Sequence, residues 1–294
     1  MKVIVIAGPT ASGKTALGVS LAKSIDGEIV SCDSMQIYKD IPICSAQPTK
    51  EEMENVPHHA MGFLEFSERF TAVDYRELAM EKIRDIISRG KQPILVGGTG
   101  MYFHFLIYEP DFMPEDTAGV REKLEKEETS HLYERLKAIN PETKISQNDR
   151  KRIMRALEVF ELTGKVPRDN FDEKRKNKEF DFKLFCVSPD REILYERINK
   201  RVDLMLEAGM EQEVRQAIEK GAREEHQCFK AIGFRQFADY FNGLCTRQEA
   251  IDKIKQESRR YAKRQLTWMR KEDAVWLRGT KEENLKRILE EIRK

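Results

Sequence analysis

The sequence predicts an α/β protein: a phosphate-loop type of parallel sheet, flanked by helices and interrupted by an all-helical subdomain. Three observations carry this. Residues 3 to 7 read VIVIA, a β-branched apolar run, followed at once by GPTASGKT and then by helical periodicity from Ala16 on. Further short apolar runs at 28–32, 93–96 and 182–187 are separated by helical stretches, as strands joined by crossover helices are. Residues 115 to 180 are strongly charged and helix-forming, with no convincing strand.

The stretch from Gly8 to Thr15 fits G-x-x-x-x-G-K-[ST], placed between strand and helix as its chemistry requires. Gly8 and Gly13 let the backbone wrap closely round a phosphate, with Pro9, Thr10, Ala11 and Ser12 forming the turn between them. The helix N-terminus adds partial positive charge, Lys14 adds a full one, and the Thr15 hydroxyl can hold Mg2+. The loop leaves open which phosphate compound binds.

Composition bounds the class. The chain has 294 residues, 40% hydrophobic and 35% charged, the balance of a soluble globular protein with length for a sizeable core. No apolar run approaches the roughly 18 to 20 residues that span a bilayer. The first strand begins almost at once, which leaves no room for a leader and points to the cytoplasm. Cys32, Cys44, Cys186, Cys228 and Cys245 are scattered without metal-ligand spacing and read as reduced packing residues. A net charge of +1 gives no global sign of a nucleic-acid partner, so local distribution decides.

The second strand, Glu28 to Cys32, ends at Asp33-Ser34-Met35-Gln36. Ligands of parallel α/β sheets bind beyond the carboxyl ends of strands, so Asp33 belongs beside the phosphate loop as general base, metal ligand or helix cap. Val56-Pro57-His58-His59 reads as a loop whose adjacent histidines suit structural or substrate-loop roles better than one metal ion. A helix over 75–89 stops at Gly90, and the strand over 93–96 ends in Gly97-Gly98-Thr99-Gly100-Met101-Tyr102. Those glycines read as a plain turn or as a place where a ligand approaches the backbone.

In the helical insertion, Asn148 to Glu158 opens an amphipathic helix with four basic residues, its core side formed by Ile153, Leu157 and Phe160. Basic residues there oppose the helix dipole; a phosphate partner accounts for them, as does a solvated face. Asp172 to Lys178 reads as a solvated, mobile loop. The sheet resumes at Phe182 and is followed by an Arg-rich helix from Arg191 to Gly209, where arginines can close over a polyphosphate. Ser258 to Arg270 carries Arg259, Arg260, Lys263 and Arg264 with Tyr261 and Trp268 interleaved, a basic face suited to a nucleic-acid backbone.

Several of these stretches together resemble the tRNA dimethylallyltransferases, also called tRNA isopentenyl-transferases, of the bacterial type. They are DSMQIYKDIPICSAQPT, VPHH, FTAVDYR, GGTGMY, NDRKRIMRALEV, AIGFR and SRRYAKRQLTWMR, in order between Val3 and about Trp276. The resemblance implies a dimethylallyl diphosphate donor and, as acceptor, the adenosine 3′ of a tRNA anticodon. Asp33 would be the general base, with Thr99, Lys14 and Arg235 also catalytic. Arg235 would join the phosphate loop on the diphosphate, and Mg2+ would sit on Thr15. Contact with tRNA would involve Asp33, Ser34, Met35, Gln36, Thr99, Arg121, Lys151, Arg152, Ile153, Met154, Arg155, Lys230, Arg259, Arg260, Lys263 and Arg264. The expected organisation is a monomer with a catalytic body, 1–114 with 181–294, and an insertion, 115–180, that touches tRNA. Two departures stand out: Ile43-Cys44-Ser45-Ala46-Gln47-Pro48 replaces the usual I-G-T-A-K-P, and Lys230 stands where relatives carry Arg or Gln. The alternatives are a small-molecule or nucleoside kinase with the same phosphate loop, or a phosphate-loop module that only binds RNA.

Overall fold

The computed structural model describes residues 2–108, 118–165 and 176–293. The order is β1 (Lys2–Ala7), α1 (Lys14–Ser24), β2 (Gly27–Cys32), α2 (Lys50–Met53), β3 (His58–His59), α3 (Ala72–Ser88), β4 (Gln92–Gly97) and α4 (Gly100–Ile107). Then come α5 (Ala118–Glu125), α6 (Thr129–Ile139) and α7 (Arg150–Thr163). The chain closes with β5 (Asp181–Val187), α8 (Arg191–Glu207), α9 (Met210–Glu219), a 3-10 turn (Gln227–Lys230), α10 (Phe234–Phe241), α11 (Arg247–Met269), β6 (Val275–Leu277) and α12 (Lys281–Ile292). Two compact units result, Met1–Ile107 with Asn177–Lys294, and Tyr108–Lys176.

The first unit holds a six-stranded parallel sheet in the order β3-β2-β4-β1-β5-β6. Its strands are apolar on both faces because helices cover both. Ile4, Ile6, Ile29, Ile94, Val96 and Phe185 pack with Leu17 and Leu21 of α1 and Ile288 of α12. The alternate positions Val3, Val5 and Leu95 are also buried. Register places the functional edge: Gly97 lies opposite both Ala7 and Cys32, and Cys186 lies opposite Ala7. The phosphate loop, Asp33 and Gly98 therefore leave the sheet side by side. A second core joins Ile37, Tyr38 and Ile41 to Met210, Val214, Phe234, Phe237 and Ile254.

His58 and His59 are not loop residues; they pair in parallel with Ile29 and Val30 as an edge strand. Glu28, buried at the start of β2, accepts two bonds from Arg89 (2.5 and 2.7 Å) and one contact of 2.7 Å from His59 Nε2. The Arg89 guanidinium, then His59, hold its carboxyl down to about 2 against the opposing effect of burial. Among the described residues, no helix is long and apolar enough to cross a membrane.

In the second unit, Leu124, Leu132, Leu136, Ile153, Met154 and Leu157 form the core shared by α5, α6 and α7. Glu158 is wholly buried and accepts from Arg121 (3.1 Å) and Arg155 (3.0 Å). Arg150 donates to the carbonyls of Leu124, Glu125 and Glu127 and to the Thr129 hydroxyl, so it satisfies the free end of α5. Three members of the basic set are thus occupied by protein partners. Ile153 and Met154, expected at tRNA, have their side chains buried in this core. Lys151 and Arg152 are exposed. Of the stretch read as a solvated loop, 172–175 lie outside the described residues. Asn177, by contrast, is buried: its amide donates to the Leu106 carbonyl (3.0 Å) and accepts from the backbone of Glu179 (2.8 Å) and Phe180 (3.1 Å).

Candidate active site at the phosphate loop

The loop after β1 turns through two left-handed residues, Ala11 (φ 61°) and Gly13 (φ 89°). The first is a strained conformation for a residue with a Cβ, of the kind that clusters at functional loops. Lys14 opens α1, and among the described residues its ammonium reaches only the Pro9 carbonyl, at 3.4 Å. Burial, with Arg201 adding to it, lowers its pKa to about 8 against the pull of Asp33. Burial likewise pushes the Asp33 carboxyl up, although the Met35 backbone N–H, Lys14 and Arg201 favour its charge. Arg201, from α8, donates to the Thr10 hydroxyl and the Ala46 carbonyl, both at 3.3 Å, and burial pulls its pKa down. Two half-buried cations facing one carboxylate leave a net positive pocket. Such an excess suits a polyanion.

These residues line a cavity of about 360 Å³ within the first unit. Its polar wall includes Thr10, Lys14, Thr15, Asp33, Ser34 and Gln36; its apolar wall is Ile198, Val202, Met205, Met210, Ile232 and Ile254. Met35, Lys230, Tyr261 and Arg264 also line it. Gln36 has both ends of its amide engaged, accepting from the Ser31 hydroxyl (2.8 Å) and donating to the Ala46 carbonyl (2.9 Å). Thr99 stands behind the cavity wall: its hydroxyl accepts from the Ser34 backbone (3.0 Å), lies 3.3 Å from the Ser34 hydroxyl, and shares a hydrogen bond with Tyr261.

Arg235 is corrected by the structure. Phe234, Phe237 and Ala238 turn the apolar face of α10 inward, which leaves Arg235 exposed and outside the cavity lining. Arg201 occupies the place expected of it. A signal for Arg201 existed: with Leu194, Ile198, Val202 and Met205 it falls on the apolar stripe of α8, where an arginine needs a reason.

The glycines after β4 admit protein rather than ligand. A Cβ on Gly97 would stand 2.0 Å from the Cys32 carbonyl oxygen, one on Gly98 2.1 Å from Gln265 Nε2, and one on Gly100 2.2 Å from the Trp268 ring. Gln265 uses its amide to join Gly98 to the phosphate loop, donating to the Gly98 carbonyl (3.0 Å) and accepting from Thr10 N–H (2.9 Å). Trp268 and Tyr261 therefore face inward, not along a nucleic-acid surface. Arg259 bonds Asn199 (2.6 Å), Arg260 pairs with Glu257 (2.6 Å), and Lys263 and Arg264 are exposed.

The departures in 43–48 are structural. Cys44 is buried; its thiol donates to the Ile232 carbonyl (3.3 Å). Glu213 accepts from the backbone N–H groups of Ile43 (2.8 Å) and Cys44 (2.7 Å), and Gln47 donates to the carbonyls of Gln36 (3.0 Å) and Tyr38 (2.7 Å). The loop is held without the glycine and lysine.

Comparison with known proteins agrees with this geometry. A family model described as IPP transferase matches residues 36–272. The chain is 43% identical to a tRNA dimethylallyltransferase of Bacillus cytotoxicus over 99% of this chain and 94% of that one. It is 42% identical to that of Bacillus subtilis over 93% and 90%. Among solved structures, tRNA delta(2)-isopentenylpyrophosphate transferase of Staphylococcus epidermidis superposes with a TM-score of 0.75 at 38% identity, covering 99% of both chains. A eukaryotic dimethylallyltransferase acting on tRNA gives 0.84 at 34% identity, covering 94% of this chain and 73% of that one. With the phosphate loop, the carboxylate beside it and the family model in agreement, the chain belongs to the IPP transferase family.

Proposed function

We propose that this chain moves a dimethylallyl group from dimethylallyl diphosphate to the N6 amine of the adenosine 3′-adjacent to a tRNA anticodon, acting as a cytoplasmic monomer and releasing diphosphate. One observation carries the reading: a single cavity joins a phosphate loop with two half-buried cations, a half-buried carboxylate and a wall of six apolar side chains. The diphosphate matches the cations, the five-carbon tail matches the apolar wall, and the carboxylate matches an amine that must lose a proton.

In the reaction the N6 lone pair attacks C1 of the donor as the C1–O bond breaks, and its electron pair leaves on the diphosphate. Lys14, Arg201 and the loop N–H groups stabilise the developing charge in a site already built for it. The Asp33 carboxylate takes the N6 proton, and burial strengthens it as a base by raising its pKa. The adenine leaves its stack to reach the cavity. The donor set fits magnesium: among the described residues no three His, Cys, Asp or Glu form an ion cage, and magnesium prefers few protein oxygens completed by water and phosphates. The Thr15 hydroxyl would hold it, and its charge would help neutralise the diphosphate. Lys230, Lys263 and Arg264 on the first unit, and Lys151 and Arg152 on the second, offer exposed charge to the RNA backbone.

The test is an assay of diphosphate release with donor and tRNA, separately and together. Release only when both are present is the expected result. ADP formation from ATP with a small hydroxyl acceptor would establish a kinase, and tRNA binding without release would establish an RNA-binding module.

A further inference from the structure

The two adjacent histidines serve different ends of β2. His59 bonds Glu28, but His58 faces the other way, towards the phosphate loop. Its Nδ1 lies 2.8 Å from the Val56 carbonyl oxygen. A carbonyl only accepts, so Nδ1 carries the ring proton, and Nε2 of the neutral ring is a bare acceptor. Burial, aided by His59, lowers the His58 pKa against the Val56 bond and favours that neutral ring. Nε2 is itself buried, with no hydrogen-bond partner among the described residues. Leaving such an acceptor unmet destabilises a fold, so a partner is to be expected.

The space beside it is a small cavity of about 20 Å³, walled by Lys14, Thr15, Ser31, Asp33 and Gln36 as well as His58. One water needs roughly 10–15 Å³ and two or more polar partners. The Ser31 hydroxyl is already given to Gln36, which leaves Thr15, Asp33 and Lys14 as the other polar walls. We infer that His58 is a positioning residue of this site: its Nε2 accepts a hydrogen bond from one water held between Thr15 and Asp33. The water's second O–H then turns to the Asp33 carboxylate and fixes the base's orientation. A free water and a water in the hydration shell of a magnesium ion on Thr15 present the same O–H donor.

Two variants separate this from a role in packing. His58→Asn keeps a donor for the Val56 carbonyl and removes the acceptor; His58→Gln gives up the Val56 bond and returns an acceptor at the Nε2 distance. The expected result is that His58→Asn lowers kcat about 10-fold or more with KM for the donor and Tm nearly unchanged, while His58→Gln stays within about threefold. The reverse order, or equal loss in both, would overturn the inference. The kinetic arm rests on the proposed prenyl transfer; a second measurement needs no turnover. Ring-nitrogen NMR of the full-length protein should show His58 protonated at Nδ1, with Nε2 hydrogen-bonded and unprotonated. A proton on Nε2 would overturn the inference whatever reaction the enzyme catalyses. Added MgCl2 identifies the source: a moved Nε2 resonance means a cation-bound water, and a still one means a free water.

Discussion

Two carboxylates stand at opposite ends of one strand, and their surroundings could hardly differ more. Glu28 opens β2 and Asp33 follows its last residue, roughly 16 Å away at the usual rise of a strand. Glu28 is buried and Asp33 half-buried. Glu28 is met by a bidentate arginine and a histidine, and its pKa falls to about 2. Asp33 forms no salt bridge among the described residues, accepts from the Met35 backbone N–H (3.0 Å), and its pKa rises. Burial alone does not mark function. What marks it is charge drawn partly out of water whose compensation the fold leaves to a ligand, and Lys14 and Arg201 share that state with Asp33.

The sharpest break of this comparison is chemical. Asp33→Asn should lower prenyl transfer by about 10²-fold or more, the usual scale for a lost general base, while tRNA binding stays within a few-fold. Normal turnover would remove Asp33 from the proton transfer. Arg201→Ala should come next, with kcat/KM for the donor down by roughly 10²-fold, as for a lost donor to developing charge. Arg235→Ala should leave the same quantity unchanged, because that side chain lies outside the cavity. A loss with Arg235→Ala as large as with Arg201→Ala would restore the arginine suggested by sequence resemblance.

Glu28→Gln should do the opposite of Asp33→Asn. Breaking this pair, whose carboxylate is buried and whose arginine is exposed, should destabilise the fold, visible in denaturant midpoints, with kcat/KM of the folded enzyme unaltered. The pH profiles should differ in the same sense. Because the folded pKa of Glu28 is depressed from 4.5 to about 2, its contribution to stability is complete above 4.5 and disappears as pH falls towards 2. Activity should fail earlier on the acid side, since Asp33 protonates above the ordinary carboxylate value. On the alkaline side kcat/KM should decline above about 8 as free-enzyme Lys14 loses its charge. An enzyme equally active well above that pH would exclude Lys14 as the essential cation.

The smallest effects concern the helical unit, where the same contrast recurs. Arg121 and Arg155 pair with buried Glu158, whereas Lys151 and Arg152 are exposed. Replacing Lys151 and Arg152 by Ala should weaken tRNA binding and flatten its salt dependence by up to about 0.9 in log–log slope per lost phosphate contact, without changing Tm. Arg155→Ala should lower Tm. Unchanged affinity and slope in the double variant would make those two residues an ordinary solvated surface.

Much of this was legible in the chain because the signals are local. The strand, the turn and the helix N-terminus of the phosphate loop are contiguous, and Asp33 follows from the rule that ligands gather at strand ends. Arg201 and Arg235 are not separable by that rule, since both lie on helices; the apolar stripe of α8 is the sequence signal that turns Arg201 inward. The glycines at the end of β4 suggest in sequence a plain turn or an approaching ligand; the groups that approach Gly98 and Gly100 are instead Gln265 and Trp268, from far along the chain. β3 and β6, two and three residues long, carry too little pattern to announce themselves.

Gln265 has a bearing on how the protein is made. Its side chain reaches Thr10, 255 residues away in sequence, and ties it to Gly98. On a ribosome the first strand and its loop emerge well before the partner that braces them. Contacts so distant along the chain are slow to form. A nascent chain that has not yet reached α11 therefore carries the phosphate-loop motif without its brace, and the loop is held in place only once that helix has been added.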